Sequence, residues 1–275
     1  MATAFSKLLA QSELTAGRAA LVVPEDWMQG RSVFGGLQVA LAVQAMRTLV
    51  PAVPLRTLQA TFVAPVPAGR MEVRAEALRT GKSATHVEAR IVAADGGGSG
   101  GGGGAGAGAT QAIVIGVFGA ARTSAVAHTP VRPEVVPSRE RPFVAPPGPG
   151  FAQHFAVRWL RGSSPFRGNP ALEHVVEINM SDVDGATATE AHAVAIADFI
   201  PPIGLAHLTS PAPGSTLTWM VEFLTDSVAG LALAGWRVDA QLVAARDGYT
   251  SQSNLIWGPG GEAVAVSRQS MLVFG

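Results

Sequence analysis

The chain has 275 residues, 48% of them hydrophobic and 15% charged, which is enough apolar material for one or two sizeable cores. Lys+Arg and Asp+Glu number 20 each, so no net charge draws the protein to nucleic acid or anionic lipid, and no nucleic-acid partner is expected. Cysteine is absent, which removes disulfides, a thiolate nucleophile and Cys-ligated metal.

The first stretch, MATAFSKLLAQSELTAGR, has no long apolar core ahead of a cleavage site, and the longest apolar run, AIVIGVFGAA (112–121), is too short to span a bilayer. The expectation is a cytoplasmic protein without a membrane span. FGGLQVALAVQAMRTLV (34–50) reads as one buried helix behind a glycine pair. Strand patterns follow at 57–66, 71–79 and 85–93; in MEVRAEALR, Met71, Val73, Ala75 and Ala77 alternate with Glu72, Arg74 and Glu76. A polyglycine stretch at 95–109 occupies the place of a hairpin turn, and the strand pattern 110–121 closes the half. Residues 128–150 carry seven prolines and read as an extended linker between an N-terminal unit (1–127) and a C-terminal unit (151–275).

The second half repeats this order. ATEAHAVAIADFI (188–200) is helical by periodicity, and 216–224, 236–248, 250–258 and 262–274 alternate as strands. Local details recur as well: Phe62 in TLQATF corresponds to Phe223 in TLTWMVEF. One helix followed by four strands, twice, indicates an internal duplication, with each antiparallel sheet wrapped around a central helix. The class is α+β.

Within that frame AIADFIPP (195–202) poses a question, because Asp198 follows a purely apolar run and precedes Phe199, Ile200 and two prolines. Burying such a carboxylate costs several kcal/mol unless it has partners. It either caps the turn before Pro201-Pro202 or performs chemistry. A carboxylate in apolar surroundings has a raised proton affinity and can take a proton from water, a contribution of about 10²–10⁴-fold.

FGGLQVALAV, FVAPVPAG and LRTGKS in the first half, with ADFIPP, GSTLTWMVEF and SRQSM in the second, together resemble the TesB-like acyl-CoA thioesterase family. The resemblance covers nearly the whole chain outside the glycine loop and proline linker, and implies a double hotdog fold. It also implies hydrolysis of acyl-CoA to a fatty acid and CoA, with no cofactor and no metal. In that family an Asp, a Thr and a Gln of the second hotdog hold and activate the hydrolytic water; they fall here on Asp198, Thr216 and Gln269. Thr218, two residues further along the strand, is the alternative for Thr216. The strand lacks the acidic and histidine residues that some members carry after the Thr. Gly35 and Gly36, opening the first helix, are the candidate oxyanion donors, since helix N-terminal amides point outward. The resemblance further implies a homodimer or larger homo-oligomer. A single site per chain is expected, because FGGLQVALAV has no counterpart of Asp198.

Other signals weigh less. Gly97-Gly98-Ser99-Gly100-Gly101 fits G-x-S-x-G formally, but without the strand-to-helix elbow that such a nucleophile needs. The six histidines show no H-x-x-x-H or H-E-x-x-H spacing, so no metal site is expected. His192 lies well round the helix from Asp198, and His207 reads as a surface or capping histidine, with an approach to the site through the proline turn as the alternative. Arg79 and Lys82 read as solvated turn residues, with a CoA phosphate contact as the alternative, and Trp219, Trp236 and Trp257 read as core packing. Two alternatives stand beside hydrolysis. One is a non-catalytic acyl-CoA-binding protein. The other is an enoyl-CoA hydratase, whose Asp/His pair is not found. Acyl chain length is not legible.

Overall fold

The computed structural model describes residues 2–50, 53–94, 108–136, 142–144 and 148–274. The strands in chain order are β1 (Glu13–Thr15), β2 (Arg18–Val23), β3 (Met28–Gln29), β4 (Ser32–Val33), β5 (Leu55–Phe62), β6 (Gly69–Thr80) and β7 (Thr85–Val92). After them come β8 (Thr110–Phe118), β9 (Phe155–Arg161), β10 (Glu173–Met180), β11 (Gly214–Phe223), β12 (Trp236–Arg246), β13 (Tyr249–Trp257) and β14 (Ala263–Val273). Four helices accompany them: α1 (Phe5–Leu9), α2 (Gly35–Arg47), α3 (Glu190–Asp198) and α4 (Gly204–His207).

Alternation along the strands drives one face of each inward. In β6 Met71 and Val73 are buried while Arg74 is exposed, and in β14 Ala265, Ser267, Gln269 and Met271 are buried while Val266 and Arg268 face out. Twelve of the strands form one antiparallel sheet in the order β1-β2-β6-β7-β8-β5-β11-β14-β13-β12-β10-β9, and β3 pairs with β4 as a separate two-stranded ribbon. Read from either end, the order gives the same six-strand unit, so the duplication seen in the sequence is a pseudo-twofold axis between β5 and β11. The expected two sheets are therefore joined edge to edge, which leaves no unpaired edge at the centre.

The ladder at that joint fixes the correspondence of the halves. Thr61 pairs with Thr218 and Thr57 with Glu222, so exchanging the halves sends Thr57 to Thr218, Leu58 to Trp219 and, one step beyond the ladder, Phe62 to Phe223. The likeness of Phe62 and Phe223 read from sequence is thus a spatial equivalence.

Helix α2 is mostly apolar and buried along nearly its whole length, as the core of a wrapped sheet requires. It packs antiparallel to α3: Gly36 lies at Ala195, and the far end of α2 meets Glu190 through Arg47. A Cβ on Gly36 would stand 2.9 Å from the Ala195 Cα, so glycine is what lets the two helices come this close. The start of α3 is closed by a capping box in which the Thr189 and His192 side chains exchange hydrogen bonds with the backbone.

An aromatic cluster seals the seam between the halves. Phe34, just before α2, stacks on Phe151 at 4.1 Å, and Phe155 leans on Phe199, just after α3, at 4.5 Å. Trp27 stacks on His154 at 3.9 Å. Trp219, Trp236 and Trp257 are buried core side chains, as expected.

The glycine-rich turn expected at 95–109 lies almost entirely outside the described residues; the strands that flank it, β7 and β8, pair with each other as hairpin arms do. Much of the proline-rich segment lies outside them too, although Val144 forms a bridge to Val157 of β9. Among the described residues no helix is long and apolar enough to cross a membrane.

Candidate active site

Asp198 is the last residue of α3 and is 9% exposed. Its Oδ1 accepts a hydrogen bond of 2.6 Å from Nε2 of Gln269 on β14, and the backbone N–H of Gly36 is directed at the same carboxylate. Its Oδ2 lies so close to Gly35 that a Cβ there would approach to 2.7 Å. The carboxylate is therefore gripped between the start of α2 and the inner face of the sheet. Burial raises its pKa from the ordinary 3.8 to about 7, with the Gly36 amide and the Gln269 side chain opposing the rise. A carboxylic acid that changes charge near neutrality is suited to give and take protons at that pH.

Two cavities meet at this point. Asp198, Thr216, Gly214 and Gln29 line both. One arm, about 410 Å³, carries the polar residues Arg31, Ser32 and Ser215 beside Gly35 and Phe62. The other, about 620 Å³, is walled by rings and prolines, with Gln269 at its polar end. Gln269 spends its amide N–H on Asp198; its Oε1 is buried and finds no hydrogen-bond partner among the described residues. An orphaned acceptor beside a cavity calls for a donor such as water.

Thr216 lines both arms, whereas Thr218 lines neither and faces solvent. The sequence reading put both threonines on one face of the strand, and this is corrected by a bulge between Thr216 and Thr218 in the β11–β14 ladder. The extra residue inverts the alternation, turning Thr216 toward the cavity while Thr218, Met220 and Glu222 point outward. Of the proposed oxyanion donors, Gly36 directs its N–H at Asp198, and Gly35 stands on the wall of the polar arm.

Several residues weighed in the sequence lie away from both arms. His207 ends α4 with Nε2 3.2 Å from the Ala171 carbonyl and lines neither arm. Arg79 and Lys82, at the end of β6 and in the turn after it, also lie off both arms. The cation on the cavity wall is instead Arg31, in the short β3–β4 turn, which periodicity gave no reason to single out.

His192 belongs to a separate buried cluster. Its Nδ1 accepts from the Thr189 N–H at 3.1 Å, so Nε2 carries the proton and donates to Asp182 at 2.8 Å. The Ser6 hydroxyl also donates to Asp182, at 2.8 Å. With both imidazole nitrogens engaged, no lone pair is left to activate Ser6, and the trio ties α1 to the start of α3 instead. Among the described residues no cluster of three or more His, Cys, Asp or Glu is placed to hold a metal ion.

The pseudo-twofold places a second position of the same kind in the first half, and its contents differ. Gln269 sits opposite Trp219, and the equivalent residue opposite Leu58 is Gly116. Thr216 precedes a bulge that recurs between Leu55 and Thr57, so its equivalent is Leu55. Where α3 ends in Asp198, α2 ends in Arg47, whose guanidinium forks onto the Glu190 carboxylate at 2.9 and 2.6 Å and stacks over Phe118 at 4.7 Å. Carboxylate, amide and hydroxyl are all missing there.

Two fused units of helix-wrapped antiparallel sheet, with one polar cluster at the seam, define a double hotdog protein. Residues 23–119 match the family model of the acyl-CoA thioesterase N-terminal domain, and 130–273 that of the C-terminal domain. The chain belongs to the acyl-CoA thioesterase family and is a thioester hydrolase. A hot dog protein of unknown function from Alicyclobacillus acidocaldarius is similar in structure, with a TM-score of 0.82 at 22% identity over 99% of each chain. So are the tesB protein of Mycobacterium avium (TM-score 0.74, 14% identity, 99% of this chain and 100% of that one) and an acyl-CoA thioesterase II of Mycobacterium marinum (0.70, 16%, 98% and 96%). No curated protein matches the chain in sequence.

Proposed function

We propose that the protein hydrolyses acyl-CoA to a free carboxylic acid and CoA, with Asp198 as the general base for water. The observation that carries this reading is the meeting of Asp198, Gln269 and Thr216 where the two cavity arms join. The apolar arm takes the acyl group. The arm with Arg31 takes the CoA side, where a guanidinium suits phosphate oxygens.

In the proposed cycle, water donates one hydrogen bond to Asp198 and one to the unpartnered Gln269 Oε1, with the Thr216 hydroxyl fixing its approach. Asp198 removes a proton as the water oxygen bonds to the thioester carbon. The carbonyl oxygen gains the negative charge and turns to the N-terminus of α2, where the Gly35 amide is the donor on the cavity wall. Collapse of the tetrahedral intermediate breaks the C–S bond, and the proton on Asp198 passes to the departing thiolate. The base is then restored without a covalent enzyme intermediate. A pKa of about 7 suits both directions of this transfer. Each chain has one such site, since the equivalent position in the first half holds Leu55 and Gly116 in place of Thr216 and Gln269, with Met46 packed against Gly116.

The test is release of free CoA from short, medium and long acyl-CoAs by the wild type and by Asp198→Asn. Wild-type turnover with a loss of about 10²-fold or more in the variant is expected. Fast turnover by both would remove Asp198 from the mechanism. Tight binding without turnover would make the protein an acyl-CoA binder.

A further inference from the structure

Among the described residues only two non-glycine residues have a positive φ: Asp247 at 53° and Phe166 at 63°. Asp247 precedes Gly248 in the β12–β13 hairpin, where a left-handed Asp-Gly pair is the usual turn solution. Phe166 has no such excuse, because a bulky side chain at positive φ is strained unless its surroundings over-determine it.

The surroundings do so here. Phe166 N–H donates to the Leu205 carbonyl at 2.8 Å, Gly168 N–H to Leu208 at 2.9 Å and Asn169 N–H to Ala206 at 2.8 Å. Three backbone hydrogen bonds thus fasten segment 166–169 to α4. Phe166 lines the apolar arm beyond the junction shared with the polar arm, together with Trp159, Leu205 and Phe199. A ring held on a clamped, strained backbone does not swing aside as an ordinary loop side chain would.

We propose that Phe166 is the specificity-determining residue of this protein, a fixed stop in the apolar arm that limits the length of the acyl group. The inference rests on the thioesterase reading above and adds to it the element that selects among acyl chains. Apart from Gln269, whose amide is engaged with Asp198, the side chains that line this arm alone are rings, prolines and aliphatic groups, and their polar atoms are the Ser164 hydroxyl and the Trp159 indole N–H, with no charged group among them. Its substrate is therefore an unsubstituted hydrocarbon acyl group, since a hydroxyl or carboxylate on the chain would be desolvated there without adequate partners.

The test compares kcat/KM for octanoyl-, lauroyl- and palmitoyl-CoA in the wild type, Phe166→Gly and Phe166→Asn. Both replacements tolerate positive φ, so the backbone clamp is kept while the ring is lost. Each variant is expected to raise the palmitoyl-to-octanoyl ratio by about tenfold or more. A ratio unchanged in both variants, with all three rates moving in parallel, would overturn the assignment. A wild type inert toward all three substrates would remove the hydrolase reading and this inference with it, and that outcome is distinguishable because it appears before any variant is made.

Discussion

Replacing Asp198 with Asn separates the catalytic cost of that residue from its structural cost. Burial raises the Asp198 pKa from 3.8 to about 7, so between those values the folded protein holds a proton that the unfolded chain releases. Stability contributed by this group is therefore greatest in acid. It falls as pH rises through that window and levels off once the folded carboxyl has ionised. At about 1.4 kcal/mol per pH unit, the ionised carboxylate destabilises the neutral-to-alkaline fold by at most about 4 kcal/mol. Asn escapes that penalty and keeps an oxygen for Gln269 Nε2, but its amide hydrogens face the Gly36 N–H, a mismatch of about 1–3 kcal/mol. The net expectation at about pH 8 is a variant more stable by about 1–3 kcal/mol, read at roughly 2–4 °C of Tm per kcal/mol. Thermal melts of both proteins from about pH 5 to about pH 9 measure it, since other titrating groups cancel in the difference. The Tm gap should widen in favour of Asn as pH climbs toward 7, over the same range in which wild-type kcat/KM rises. A gap constant across that range would show that Asp198 does not titrate near neutrality, and the proton-transfer argument would fall.

Four further substitutions probe the rest of the site. Thr216→Ala should lower kcat/KM by about tenfold or more through lost positioning of the water, while Thr218→Ala, on the solvent face, should leave it unchanged; equal effects would refute the role of the bulge. Gly35→Ala should leave the helix intact, alanine being a better helix former, but its Cβ would stand 2.7 Å from Asp198 Oδ2 and 3.2 Å from Phe62. Displacing that carboxylate should cost about 10-fold to 10²-fold in kcat, and an unaffected rate would mean that the position of Asp198 is not critical. Gln252 is fully buried opposite Gln269 and accepts the Ile203 N–H at 2.9 Å, so it anchors the turn that leaves Asp198. Gln252→Leu should strand that amide and lower stability by about 1–3 kcal/mol in urea denaturation; no change would show that the amide finds another partner.

The core of the fold was legible because its strands alternate cleanly and because the pattern occurs twice. Strands β1, β2, β9 and β10 were not. β2 buries Ala19, Ala20 and Leu21 in succession, and β10 buries Val175 and Val176 across a bulge, so neither shows the period of two that marks a half-buried strand. The same physics left Thr218 open as the alternative to Thr216: a bulge leaves no mark in a single sequence, and strict alternation puts both threonines on one face. Asp198 stood out because an ionisable group in an apolar helix is costly wherever it ends up. Arg31 and Phe166 sit in a turn and a loop, where no periodicity marks which side chain meets the cavity. Their place in the site emerged only once both arms were in view.

The asymmetry of the two halves follows from the same energetics. A carboxylate buried at the end of a central helix opposes folding at neutral pH, and two of them would double that burden on a protein whose net stability is only about 5–15 kcal/mol. In the first half, the end of α2 carries Arg47 instead, paired with Glu190 and about a quarter exposed, an arrangement that retains hydration and adds a second hydrogen-bonded link between the helices. Gly116, at the place of Gln269, leaves room for Met46, whose Sδ would lie 2.6 Å from a Cβ there. Apolar packing thus occupies the first position while a buried, hydrogen-bonded carboxylate occupies the second. Restoring the missing groups by Gly116→Gln would not create a second site, because the Met46 side chain already fills the space the new side chain needs.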